Sequence, residues 1–403
     1  MQQPGRSTLA DSYDLIGYGC MIADEVRTDA YAEALRQSVN QETVVLDIGT
    51  GTGIFALLAC RFGARRVYAV EPGDAIALAR DIARANGYAD RIDFIQSVSE
   101  RVCLPEPVDV IVSDIRGVLP LHRKSVTTII DARRRLLAPG GTLIPRKDRL
   151  MAAPVDVPKL YEKYARPWQG SAYELDFSAA RRFVSNSWHY GRATPEQLLA
   201  QAQCWGELDY LSVEDPSVRA ELGWTVVRAG IAHGISVWFD SELAPGVTYS
   251  NAPGEPELVY GSAFLPYSEP VAVAEGDRIE VDLRADLVAE KYTWTWNTKI
   301  SAAIPTGEVK AEFRQSSFFS SPVLRSQLHK RAASYRPKLT EDGEIALLVL
   351  QLMKSHRTLE DIAKQLCEAF PARFAHWTVA LGHVGTFSSE YSEASDNSDD
   401  ASA

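Results

Sequence analysis

The run Asp47-Ile48-Gly49-Thr50-Gly51-Thr52-Gly53 limits what this chain can fold into more than any other segment. It follows the β-branched stretch Val44-Val45-Leu46-Asp47 and precedes an apolar, helix-forming stretch from Ile54 to Phe62. Glycines at alternate positions let a backbone turn sharply and approach a ligand closely, and the order strand, glycine loop, helix marks a nucleotide-type βα unit. The alternation continues with strands at Val67–Val70, Ile92–Ile95, Val108–Ser113 and Thr142–Ile144, and helices at Ala75–Asn86 and about Lys124–Leu137. Such a pattern predicts an α/β domain with a doubly wound, Rossmann-like parallel sheet and a ligand site at the carboxyl ends of its strands. Glu71 closes the second strand 24 residues after Asp47, where a carboxylate can accept both ribose hydroxyls of an adenosine.

The texture changes after Pro145. Helical stretches with long connections occupy about 158–202, and then period-two alternation takes over: Ile235, Val237 and Phe239; Ile279, Val281 and Leu283; Tyr292, Trp294 and Trp296. This predicts antiparallel strands with one wet face, in a sandwich or barrel. Helix returns at Glu344–Met353, at Leu359–Phe370 with Thr358 as N-cap, and around Phe374–Leu381, a spacing compatible with a small winged-helix module or with plain helical packing. The expected organisation is an N-terminal helical segment (1–40), a Rossmann-like domain (41–147), an antiparallel β-barrel domain (148–325), a C-terminal helical module (334–388) and a disordered acidic tail (389–403). Of the formal charge of -11, five acids lie in that tail; without them 48 acids face 42 bases, so overall acidity does not describe the site.

The form DxGxGxG, rather than the GxGxxG of dinucleotide binders, resembles the cofactor loop of class I S-adenosylmethionine methyltransferases, and Asp47 is electrostatically suited to a methionine ammonium. Asp11-Ser12-Tyr13, Asp24-Glu25-Val26-Arg27-Thr28 with Tyr31, Val67-Tyr68-Ala69-Val70-Glu71, Pro145 and Gly234-Ile235-Ser236-Val237-Trp238-Phe239-Asp240 sharpen this. Over about residues 11–320 the chain resembles protein arginine methyltransferases. The resemblance implies a homodimer through a helical arm at about 158–205 and S-adenosylmethionine as cofactor. It also implies a site of Met21, Arg27, Asp47, Gly49, Thr50, Gly51, Gly53 and Glu71, with Val98 and Ser99 at the adenine edge.

The acceptor side departs from that family, whose loop after the fourth strand carries two glutamates for the substrate guanidinium. Here it reads Ser113-Asp114-Ile115-Arg116-Gly117-Val118-Leu119-Pro120-Leu121-His122-Arg123-Lys124, with Asp114 at the first glutamate and Arg123 at or near the second. The family's Thr-His-Trp signature aligns with about Val259-Tyr260-Gly261-Ser262. Like charges repel an incoming guanidinium, so the expected acceptor is a nitrogen or oxygen nucleophile of a peptide or small natural product rather than an ordinary protein arginine. Arg116, His122, Arg123 and Lys124 form a basic cluster beside Asp114 suited to a substrate carboxylate or phosphate, or else Arg123 and Lys124 open the next helix and face solvent. Asp114 or His122 is the candidate base, His122 being better matched to neutral pH. True arginine methylation, a catalytically inactive cofactor-binding scaffold and a DNA-binding regulator stand as alternatives.

The five scattered cysteines fit neither a disulfide framework nor a CxxC metal site, no apolar run approaches a membrane span, and the first 25 residues lack a signal-peptide pattern. A cytoplasmic protein is expected, with no membrane partner and no metal, and its acidity argues against non-specific attraction to nucleic acid.

Overall fold

The computed structural model describes residues 15–168, 171–172, 174–322 and 324–392. The Asp11-Ser12-Tyr13 motif and most of the acidic tail lie outside them. The chain divides into a large unit ending at Pro322 and a small one beginning at Val323.

The large unit opens with helices α1 (Leu15–Ala23) and α2 (Glu25–Ser38). Strands β1 (Val44–Ile48), β2 (Arg66–Val70), β3 (Ile92–Ile95), β4 (Val108–Ser113) and β5 (Leu137–Ile144) form a parallel sheet in the order β3-β2-β1-β4-β5. Helices α3 (Ile54–Arg61), α4 (Ala75–Ala85) and α5 (Ser125–Arg135) supply the crossovers. β1 is buried along its whole length, as a central strand covered on both faces must be. The order reverses between β1 and β4, which opens a crevice beyond their carboxyl ends.

The segment expected to be a helical arm is only partly helical. It holds α6 (Pro158–Ala165), the two-residue strands β7 (Ser171–Ala172) and β8 (Leu175–Asp176), the single turn α7 (Arg181–Val184) and β9 (His189–Tyr190), which pairs with the barrel domain.

The domain expected to be a barrel, called the barrel domain below, is built as two separate antiparallel sheets. One contains β6 (Lys147–Val155), β9, β10 (Gln203–Asp209), β12 (Gly230–Ala244), β13 (Val247–Ser250) and β14 (Ala263–Val273); the other contains β11 (Val218–Thr225), β15 (Arg278–Val288), β16 (Lys291–Ser301) and β17 (Val309–Phe313). The expected one-wet-face alternation holds in β15, where Ile279, Val281 and Leu283 are buried beside exposed Glu280 and Arg284. It fails in β12, whose Ser236 and Trp238 are buried together with Ile235, Val237 and Phe239, because the parallel-sheet domain and α2 cover the outer face of that strand. Trp294 and Trp296 are core residues; the indole of Trp296 donates to the Pro266 carbonyl of the other sheet at 3.0 Å, and the Trp205 and Trp294 rings lie 5.7 Å apart.

The small unit contains α8 (Arg325–Lys330), α9 (Glu341–Lys354), α10 (Leu359–Ala369) and α11 (Trp377–Tyr391), the last three packed around Ile345, Val349, Ile362, Leu366 and Val384. Thr358 caps α10, its hydroxyl accepting from the Asp361 amide. Its described residues include no strand, so the wing of a winged helix is missing there and plain helical packing is what the structure has. No helix among the described residues is long and apolar enough to cross a membrane.

Trp296 is fully buried between the two sheets. Trp296→Ala is expected to lower unfolding stability by about 3–5 kcal/mol, read as a shift of the urea midpoint; an unchanged midpoint would contradict this packing.

Candidate active site

A cavity of about 360 Å³ sits beyond β1, β2 and β4, lined by α1, the glycine loop, Glu71 and the loop from Asp114 to Ser125. The glycine loop is shaped by backbone requirements. Gly49 and Gly51 have φ of +74° and +54°, and a Cβ would lie 2.5 Å from Ile115 at the first and overlap the Tyr18 ring at the second. The Gly49 and Thr50 amides donate to the Val70 carbonyl at 2.8 and 3.0 Å, which ties the loop to the end of β2. Glu71 follows immediately and accepts from the Gly51 amide at 3.0 Å and the Gly73 amide at 2.8 Å, with its carboxylate on the cavity wall.

Asp47 does not line the cavity. One of its oxygens accepts from the Thr50 hydroxyl at 2.6 Å and the Ala56 amide at 3.0 Å, bracing the loop against α3, while the other is buried without a partner. The expected contact with a ligand ammonium is therefore replaced by a bracing role. Burial pushes its pKa up to about 7, against the lowering effect of those two donors.

Asp24 caps α2 by accepting from the Arg27 amide at 3.2 Å, and its other oxygen takes the Val259 amide at 2.8 Å, which ties the helix to the barrel domain. Arg27 is thereby aimed inward, 5.1 and 5.5 Å from the Phe55 and Tyr31 ring centres. Its Nε donates to Asp114 at 2.6 Å and to the Tyr260 hydroxyl at 3.0 Å, and its Nη1 donates to the Met21 carbonyl at 3.0 Å. Met21 and Arg27 both reach the cavity.

Asp114 is the centre of charge. Its Oδ2 also accepts from the Tyr260 hydroxyl at 2.6 Å, and its Oδ1 lies 3.3 Å from Arg116 Nε. Burial alone would raise its pKa, but Arg27, Arg116 and Tyr260 outweigh burial and hold it below the usual carboxylate range. A carboxylate so stabilised is a poor proton acceptor, so Asp114 does not suit the expected role of base. Arg116 is likewise not a free anion anchor: its side chain is 4% exposed and pairs with Asp148 at 3.0 Å and Ser241 at 3.3 Å. Burial opposes its charge, yet Asp148 and the surrounding hydroxyls keep its pKa above the ordinary arginine value.

His122 reaches the cavity with an exposed edge, its ring packed so closely over Gly117 that a Cβ there would approach it at 2.8 Å. Partial burial lowers its pKa from 6.5, leaving a neutral imidazole at neutral pH, the state a general base requires. Arg123, at φ +45°, and Lys124 line the mouth and are exposed; Lys124 pairs with Glu290 at 3.0 Å, and α5 begins one residue later, at Ser125. Among the lining residues Arg27, Arg116, Arg123 and Lys124 face Glu71 and Asp114, but Asp148 and Glu290, just outside the lining, match Arg116 and Lys124.

Val98 is 39% exposed and Ser99 is buried, and neither lines the cavity. The neighbouring Glu100 instead accepts from Thr128, a cavity residue, at 3.0 Å. Sequence reasoning also missed Tyr18, Asp148 and Tyr210. Asp148 gave no such signal, since it lies between Lys147 and Arg149 in the charged opening of β6.

Residues 27–145 match the family model described as ribosomal protein L11 methyltransferase (PrmA). The chain is 30% identical over 303 residues to protein arginine N-methyltransferase PRMT10 of Oryza sativa subsp. japonica, covering 65% of this chain and 78% of that protein. It is 31% identical over 255 residues to the probable protein arginine N-methyltransferase 6 of Arabidopsis thaliana, covering 61% of this chain and 58% of the relative, less than two thirds of that protein's length. The structure of Arabidopsis thaliana protein arginine methyltransferase 10 superposes with a TM-score of 0.66 at 25% identity, over 75% of this chain and 97% of that one. The Trypanosoma brucei PRMT1 enzyme-prozyme heterotetrameric complex with AdoHcy gives a TM-score of 0.68 at 23% identity, over 74% and 96%, a likeness of fold alone.

Because Asp47 binds its proton more tightly in the folded chain than in the unfolded one, it contributes stability at low pH that is lost as pH rises from about 4 to about 7. Asp47→Asn is expected to flatten that decline in urea midpoints measured across this range without added ligand; parallel curves would refute it.

Proposed function

The chain belongs to the protein arginine N-methyltransferase family, and from that premise we propose that it transfers a methyl group from S-adenosylmethionine to a nitrogen or oxygen nucleophile of a peptide or small natural product other than an ordinary protein arginine. The observation that carries this reading is the Arg116 guanidinium, buried 3.3 Å from the Asp114 carboxylate that stands where the family receives a substrate guanidinium. The pairwise repulsion between Arg116 and a second guanidinium at about 4 Å is about 4 kcal/mol even at an effective dielectric near 20. Arg123, near the place of the family's other glutamate, adds to that repulsion.

The cavity fits the cofactor: the loop at Gly49 and Gly51 leaves no room for a Cβ, and the Glu71 carboxylate stands at the end of β2. S-adenosylmethionine supplies an electrophilic methyl carbon and a neutral thioether leaving group. In this reading Glu71 holds the ribose hydroxyls, Arg27 holds the carboxylate with donors not spent on Asp114 and Met21, and the Met21 side chain lies against the sulfonium. Tyr18 and Ile115 cover the glycine loop and exclude water. His122 takes the acceptor's proton, and Arg123 and Lys124 at the mouth favour an acceptor bearing a carboxylate or phosphate. The segment around α6 and α7 stands where the family has its dimerisation arm, and a homodimer in the cytoplasm is part of the same proposal.

A catalytically silent partner subunit is the second reading, favoured by the pinning of Asp114 between two arginines. Incubation with labelled S-adenosylmethionine and separate pools of arginine peptides, lysine peptides and carboxylate metabolites distinguishes these. Label in an acceptor other than arginine is expected; methylated arginine would overturn the acceptor assignment, and binding without transfer to any pool would favour the silent partner. His122→Gln is expected to slow transfer by about 10²–10⁴-fold and to abolish a wild-type acid limb lying below pH 6.5. Glu71→Gln is expected to weaken cofactor binding about ten- to a hundredfold by calorimetry, and unchanged affinity would remove Glu71 from the cofactor site.

A further inference from the structure

Arg116 is held from its far side by groups that methyl transfer does not require. Asp148, in β6, is fully buried and gives one carboxylate oxygen to Arg116 Nη1 at 3.0 Å and the other to the Tyr210 hydroxyl at 2.6 Å. Phe239 and Tyr249 flank the same guanidinium at 5.0 and 5.9 Å. A carboxylate at zero exposure inside a sheet is costly unless it is paired, and among the described residues its ion-pair partner is Arg116. On the cavity side, Oδ2 of Asp114 is occupied by Arg27 and Tyr260, whereas Oδ1 is covered by Arg116 without a formal hydrogen bond. Arg116 thus bridges two carboxylates, one from the catalytic loop and one from the barrel domain.

We propose that Asp148 and Tyr210 are specificity-determining positioning residues. They fix Arg116 against Asp114 so that the chain's own guanidinium fills the place of an acceptor guanidinium and excludes arginine and other guanidinium compounds. The inference rests on the acceptor reading above. Asp148 acts only through Arg116, and Tyr210 acts only through Asp148. Removing both charges of the pair together leaves no orphaned buried ion and uncovers Oδ1 of Asp114.

The test is a calorimetric titration of the full chain with ethylguanidinium and, as an uncharged control of the same shape, ethylurea. The wild-type chain is expected to bind neither saturably. Arg116→Met combined with Asp148→Asn is expected to bind ethylguanidinium at least about tenfold more tightly than the wild type does and more tightly than it binds ethylurea. Arg116→Lys, which keeps the cation in place, is expected to show no gain. A folded double variant without the gain, an equal gain for ethylurea, or an equal gain in Arg116→Lys overturns the proposal. Circular dichroism establishes folding. If the double variant does not fold, Tyr210→Phe carries the test, with a gain of at least about threefold expected from a loosened Asp148 and the absence of any gain overturning the proposal. Methylation of arginine peptides by the wild-type chain would instead overturn the acceptor reading itself, so the two failures are distinguishable.

Discussion

The carboxylate of Asp114 carries its charge where water barely reaches, and it does so because guanidinium groups stand on two sides of it. Arg27 comes from α2, Arg116 from the loop that follows β4, and the Tyr260 hydroxyl from the barrel domain. Each of these groups would be expensive to bury alone, and together they satisfy one another. Three segments distant in sequence are thereby held to one point. The remaining links follow from that arrangement: Asp24 caps α2 and takes the Val259 amide one residue before Tyr260, so the cap that starts the helix also docks it. The glycine loop then closes against Tyr18 and Ile115 on the other wall of the cavity.

This ion cluster divides the labour of the site. Charge stabilisation is concentrated at Asp114, which is held ionised, whereas His122 at the cavity is kept neutral by partial burial. Asp47, beneath the glycine loop, is pushed the opposite way by burial, which the hydroxyl and amide donors beside it do not outweigh. Three ionisable groups close to one cavity thus differ in protonation through their partners and burial, not through their intrinsic chemistry.

The elements that were legible in the sequence are those governed by local periodicity and backbone stereochemistry. The strands Ile92–Ile95 and Val108–Ser113 fall where β-branched runs put them, and Thr358 caps α10 because a hydroxyl before an apolar helical stretch has little else to do. The glycine loop and Glu71 were legible because a left-handed turn after a buried strand leaves few residue choices. The arm between α6 and β9 is less helical than its sequence suggests, and Leu175, Phe177 and Tyr190 within it are exposed rather than gathered on a buried helical face. Alternation in β12 suggests one wet face because it cannot report that a second domain covers the other.

Taken by itself, the sequence determined the order of the two architectures, the position of the ligand loop and the identity of the charged residues near it, all of which depend on short stretches of chain. Only the tertiary structure decided what those charges do. Arg116 and Asp148 are 32 positions apart and Arg27 and Asp114 are 87 apart, and no local pattern states that they meet. Whether an arginine beside a cavity anchors a substrate or occupies its place depends on which carboxylates reach it, and in a buried site that pairing is set by how the domains pack.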